Sequence, residues 1–227
     1  MAESVLIVGA GQGLSASLAR LCTQEGMSVA LAARNMDKLG DLAVETNASL
    51  HKCDAADSDD VAKLFTQLDA TIGTPDLVIY NPSARLRGGI ADLDPSATLD
   101  ALKITCFGAF LVAQQAAKRM QARGSGSIFF TGASAGVKAF PYSSVFAMGK
   151  FGLRALAQSL ARELHPQNIH IGHFIIDGSI QSSATIDDPD HTRLDPDEIA
   201  RTYIEFHRQH RSVWAWEIEL RPWVETF

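Results

Sequence analysis

Short apolar runs alternate with amphipathic stretches along most of the chain, and the two periods predict different elements. Runs of four to seven mostly apolar residues predict strands at Ser4–Val8, Ser28–Ala32, Ser49–Cys53, Leu77–Tyr80, Ser127–Thr131, Ile169–Ile175 and Trp214–Leu220. Between them, helical spacing predicts helices over Gly13–Glu25, Met36–Glu45, Ser58–Thr71, Ala97–Gln121, Ser144–Leu164 and Asp197–Arg208. Asp57 and Ser58 are cap candidates ahead of Val61, Leu64 and Phe65, which share one helical face. Pro95-Ser96 is expected to break the chain before a stretch in which Leu102, Phe110, Ala113, Ala117 and Met120 line one side, and Gly124-Ser125-Gly126 ends it. Strands alternating with helices imply parallel pairing, and right-handed crossovers make this one doubly wound, Rossmann-type α/β sheet of about seven strands with helices on both faces. No repeat or low-complexity segment divides residues 1–227, so a single domain is expected.

Composition narrows the classes. With 46% hydrophobic and 20% charged residues the chain reads as an ordinary globular protein. A net charge of −6 argues against a general nucleic-acid partner. Charges recur too often for a membrane-spanning apolar run, and the first strand begins too early for a signal peptide. Cys22, Cys53 and Cys106 lie far apart with no metal or redox spacing, which suits reduced thiols in a cytoplasm. The helix over Ser144–Leu164 carries little charge before Arg162-Glu163, so a covering subunit is expected there, and with it a homodimer or homotetramer.

Chemistry first appears after the first strand. Val5–Val8 runs into Gly9-Ala10-Gly11-Gln12-Gly13, and Leu14 opens a helix. Glycines allow a sharp turn and bring backbone N–H groups to a pyrophosphate, whose charge a helix N-terminus favours. At the end of the second strand a dinucleotide site that reads a free ribose would place a carboxylate. Here the residues are Leu31-Ala32-Ala33-Arg34-Asn35, and Arg34 offers a planar fork of donors to a 2′-phosphate. NADP(H) is therefore expected over NAD(H).

The spacing Gly9-x-x-x-Gly13 resembles the glycine motif of the short-chain dehydrogenase/reductase family, with Ser15 where that family places a further glycine. The resemblance extends to Asp54, at the family's adenine-contacting position, and to Asn81, the asparagine of an Asn-Ala-Gly motif whose last two residues are here Pro82-Ser83. It reaches Asp177-Gly178-Ser179-Ile180, which stands where the family has a Pro-Gly motif facing the nicotinamide carboxamide. It implies cofactor contacts from Gly9, Gly11, Gln12, Gly13, Leu14, Arg34, Asp54, Asn81, Lys150, Gly178 and Ile180.

Family chemistry rests on an Asn, a Ser, a Tyr and a Lys four residues after the Tyr. Tyrosine exchanges the substrate proton, lysine lowers its pKa and binds ribose, and serine polarises the carbonyl. By alignment of motifs, Lys150 is retained, whereas Phe146, Ala133 and Thr105 stand at the Tyr, Ser and Asn positions. Ser134 is one residue from the serine position. Tyr142 lies four residues before Phe146, one helical turn away if the helix has begun there. One branch of the fold, the dienoyl-CoA reductases, also lacks the motif tyrosine and uses another. Lys150, Ser134 and Tyr142 are thus the catalytic candidates. Two functions stay open: an atypical NADP(H)-binding oxidoreductase with an unidentified small-molecule substrate, and a non-catalytic dinucleotide-binding or regulatory protein.

Other features carry less. His170 and His173 fall on opposite faces of a strand, and no carboxylate or cysteine completes a ligand set, so no metal is expected. His207 and His210 read as a solvated helix end. Trp214, Trp216 and Trp223 suit either packing of the last strand on its own subunit or an interface. The polar segment 181–196 is expected to be a mobile substrate loop.

Overall fold

The computed structural model describes residues 2–182 and 188–226. Seven strands form one sheet: β1 (Ser4–Val8), β2 (Ser28–Ala33), β3 (Ser49–Lys52), β4 (Leu77–Tyr80), β5 (Gly126–Thr131), β6 (Ile169–Ile176) and β7 (Glu217–Leu220). Their order is β3-β2-β1-β4-β5-β6-β7 and every pair is parallel. The helices are α1 (Leu14–Gln24), α2 (Gly40–Thr46), α3 (Ser58–Asp69), α4 (Pro95–Leu102), α5 (Gly108–Arg123), α6 (Ser144–Leu164) and α7 (Pro196–His207).

Alternation within the strands divides the core into two layers. Leu6 and Val8 of β1 pack with Phe65 of α3, Val112 of α5 and Leu153 of α6. Val5 and Ile7 pack with Leu18 of α1, Leu42 of α2 and Tyr203 of α7 on the other face. Nearly unbroken apolar strands are the signature of a sheet covered on both sides. Because the chain runs outward from β1 to β3 and then returns to β4, the crevice opens where β1 and β4 end side by side.

Several details depart from the sequence reading. Pro95 is not a break: Asp94 Oδ1 accepts from Ala97 N at 2.7 Å, and Pro95 is the first helical residue, where its missing N–H costs nothing. The long helix runs through a π turn at Lys103–Phe107 that joins α4 to α5. There the Tyr80 hydroxyl donates to the Ile104 carbonyl, and Gly108 lies so close that a Cβ would meet Tyr80 Oη and Ala55 O at 2.5 Å. Over Pro95–Arg123 this helix is long and apolar enough to span a membrane by length and composition, which corrects the expectation that charges exclude such a run. Ala109, Val112, Ala116 and Met120 nevertheless lie against the sheet.

The last strand is shorter than expected. Trp214 lies outside β7 and stacks on His170 with centroids 4.5 Å apart, and Trp216 packs on the opposite core layer from Ile218. Trp223 is exposed. His207 is not at a solvated end: its ring bonds Ser127 Oγ and Glu3 Oε1, both at 2.8 Å. Of the segment 181–196, residues 183–187 lie outside the described residues. Its flanks are tied by a bridge between Ile180 and Leu194, and Asp188 accepts from Thr192 and Arg193.

Candidate active site

The turn after β1 shows why these residues are needed. Gly9 has φ +78°, and a Cβ there would meet the Pro82 ring at 2.7 Å, so the β1 and β4 loops touch only because the side chain is absent. Ser15 occupies the next position without intruding. Its buried hydroxyl donates to the Gly9 carbonyl at 3.2 Å and accepts from Asn81 Nδ2 at 2.8 Å, joining the glycine turn to the β4 loop. Gly13 caps α1 with no side-chain acceptor, and no acidic residue stands in the first turn. The first N–H groups of α1 therefore remain available to an anion.

Above this turn is a cavity of about 480 Å³. Gly9, Gly11, Gln12, Arg34, Asp54 and Asn81 all line it, as do Asn35 and Lys38. Gly13 and Leu14 do not line it; the Leu14 side chain is buried in the core beneath α1, which leaves only its backbone for a ligand. Lys38, missed from sequence because it falls two residues past the expected start of a helix, enters through a 3₁₀ turn at Asp37–Leu39. Gln12 donates to its carbonyl. Arg34 and Lys38 are exposed and no carboxylate pairs with them among the described residues.

A second cavity of about 440 Å³ adjoins the first through Asn81 and Ser83. Thr131, Ala133, Phe146, Lys150, Gly178 and Ile180 line it, so the ends of β4, β5 and β6 and the start of α6 converge there. Lys150 is 2% exposed, and its ammonium donates to the Thr131 carbonyl at 2.7 Å. Burial pushes its pKa down to about 7, and the charge of Arg85 pushes the same way. Gly178, at φ +142°, approaches Pro222 so closely that a Cβ would meet the ring at 2.7 Å.

The geometry of the turn, the parallel order and the two adjoining cavities coincide with one family. A model of the short chain dehydrogenase family matches residues 3–188. The chain belongs to that family. A short-chain dehydrogenase from Rhodopseudomonas palustris is 32% identical and superposes with a TM-score of 0.85, over 97% of this chain and 99% of its own. An uncharacterized oxidoreductase of Staphylococcus aureus (strain N315) is 26% identical over 223 residues, 96% of either chain. The alcohol dehydrogenase of the archaeon Thermococcus sibiricus, complexed with 5-hydroxy-NADP, shares the fold with a TM-score of 0.87 at 20% identity, over 100% of this chain and 99% of its own.

Of the four positions that the family resemblance assigns, Thr105 alone does not line the Lys150 cavity. Phe146 and Ala133 line the Lys150 cavity and carry no hydroxyl into it. Thr105 sits in the π turn, where its Oγ1 accepts from Ala84 N at 3.0 Å and faces the Ala84 carbonyl at 3.5 Å. Ser134 and Tyr142 line a third cavity, of about 320 Å³, that does not include Lys150. Tyr142 precedes the helix instead of sharing a face with Phe146: α6 starts at Ser144, and Tyr142 has φ +59° and is 72% exposed. Arg85 was not singled out from sequence. Its guanidinium lies 4.5 Å from the Phe146 ring centroid, and Arg85 and Phe146 line both the second and third cavities. No spacing in the sequence signals this contact, because the β4 loop and α6 meet only in the folded chain.

Proposed function

We propose that this short-chain dehydrogenase family member is an NADP(H)-binding oxidoreductase. Its dinucleotide site is retained and its proton-transfer site is altered. The observation that carries the cofactor preference is that Arg34 and Lys38 both line the first cavity and neither pairs with a carboxylate among the described residues, while Asp54, the one acid in the lining, accepts from Ala56 N. A ribose 2′-phosphate needs cationic donors, and Arg34 and Lys38 supply two. The turn fits a pyrophosphate: backbone N–H groups of Gly11, Gln12 and Gly13 and the uncapped start of α1 supply donors without a competing acid. Lys150 would hold the nicotinamide ribose, and the backbone at Gly178–Ile180 the carboxamide end. A bound reduced nicotinamide supplies hydride; this chain's own residues orient the substrate and exclude water. The 5-hydroxy-NADP held by the Thermococcus sibiricus alcohol dehydrogenase agrees with this reading of the fold. Three free cysteines, two buried with thiols pushed up to about 12, suit a reducing cytoplasm.

A second reading is favoured by a specific observation: Phe146 and Ala133 leave the Lys150 cavity without the family's two hydroxyls. On that reading the chain binds the dinucleotide without ordinary carbonyl reduction. Losing an acid/base group costs about 10²–10⁴ in rate.

Calorimetry separates cofactor choice from turnover. NADPH is expected to bind at least about tenfold more tightly than NADH, as a lost charge-assisted contact implies. Arg34→Ala should remove most of that difference; equal affinities in the parent protein would refute the preference. Turnover of a carbonyl panel that appears only with Phe146→Tyr and Ala133→Ser combined would favour the binding-protein reading.

A further inference from the structure

The altered positions are not empty substitutions. Thr105 clasps the backbone of Ala84 through its N–H and carbonyl, and Gly88 N donates to the Tyr142 carbonyl at 3.2 Å, so the β4 loop is held at both ends. Arg85 projects from the clasped segment onto the ring of Phe146, which a guanidinium meets favourably through the π face. The side chain is exposed, and neither Arg85 nor Arg87 has an ion-pair partner among the described residues. No Asp or Glu lines either cavity that Arg85 borders. The acid that follows β6, Asp177, is already engaged by Lys138 at 3.3 Å and Arg221 at 3.1 Å. Arg85 is close enough to Lys150 for its charge to help lower the lysine pKa, so positive potential accumulates where no protein anion answers it.

We propose that Arg85, seated on Phe146 and held by the Thr105 clasp, binds an anionic group of the substrate, and that the substrate is a small carboxylate. A planar guanidinium matches a carboxylate through two parallel N–H donors. On this assignment Thr105 is a positioning residue, because it touches Ala84 and acts through Arg85. The inference deepens the oxidoreductase reading by naming a substrate class. Its measurement does not depend on cofactor binding.

The test titrates pyruvate, acetoacetate and levulinate, each beside its methyl ester, into the protein with and without saturating NADP⁺. A separate NADPH titration is run on every variant. At least one acid should bind about tenfold more tightly than its ester, the scale of a charge-assisted pair at a partly open site. Arg85→Gln should bring acid and ester within about twofold, by weakening the acid and not the ester. Thr105→Val should weaken the acid alone by a smaller factor. Equal affinities for every acid and its ester, no binding by any acid, or a preference that survives Arg85→Gln would each overturn the assignment. Failure of NADPH to bind would instead strike the cofactor reading, and the cofactor-free titrations would still decide the role of Arg85.

Discussion

Lys150 shows how one residue's environment shapes its chemistry. A lysine's ordinary pKa is 10.5, and burial beside Arg85 brings this one to about 7. Below pH 7 the folded state bears the full cost of a buried ammonium. Between 7 and 10.5 the unfolded chain holds more protons than the folded one, so this group makes stability rise with pH. Lys150→Met removes the linkage. Urea denaturation between pH 7 and pH 10 should therefore show the parent gaining on the variant as pH rises. A difference that stays constant across that range would mean the ammonium is not desolvated. Ser15 makes a related point: a hydroxyl where the family has glycine is accommodated because Asn81 and the Gly9 carbonyl absorb both its bonding roles.

Strand β6 carries two histidines on opposite faces, as the period of two requires. His170 Nε2 donates to the Ala215 carbonyl at 2.8 Å, and its ring lies between Phe206 and Trp214. His173 bonds Glu217 Oε2 through Nδ1 at 3.0 Å, and its Nε2 is buried against Gly132. Burial pushes both down to about 4 from 6.5. Both rings are therefore neutral in the folded chain, and the unfolded chain takes up their protons first as pH falls. Stability should drop between pH 6.5 and 4, by up to about 1.4 kcal/mol per pH unit for each ring. His170→Phe keeps the stack and should roughly halve that slope in denaturant titrations. An unchanged slope would assign the acid sensitivity elsewhere. Most element boundaries were readable to within a residue or two; the helix expected from Met36 opens as a 3₁₀ turn at Asp37–Leu39 and becomes α2 only at Gly40. The expected strand at Trp214 is cut short because its ring turns to His170, and the helix before α5 admits a π turn that Tyr80 supports.

At the scale of the molecule, α4, the π turn, α5 and α6 present Leu99, Phe107, Phe110, Met148 and Phe151 at the surface, with Phe107 and Phe110 stacked 6.0 Å apart. Single exposed apolar residues are ordinary, but a set along neighbouring helices marks an association surface. A second copy of this chain is the occupant we propose, since symmetric homo-oligomers reuse one patch. Light scattering on the eluting protein should give a mass at least twice that of the chain, and Phe107→Glu with Phe151→Glu should shift it to the monomer. A monomeric parent protein would end this proposal.

The α/β class, the parallel pairing and the glycine turn after the first strand were legible because apolar period and the Gly9–Gly13 turn are local properties, set by which side chains must leave water and which backbone angles only glycine takes readily. Of the residues that line the first cavity, Arg34 was legible from its place at the end of a strand, whereas Asp54 and Asn81 were reached through the family resemblance. What surrounds Lys150 was not. That Arg85 rests on Phe146, that Thr105 holds Ala84, and that Tyr142 stands apart from the lysine depend on loops brought together by the sheet, and no spacing within a single segment encodes such contacts. Local pattern determined the scaffold and the sites of its turns; packing between distant segments decided which side chains share the cavity, because charge and shape act through distances that exist only in the folded chain.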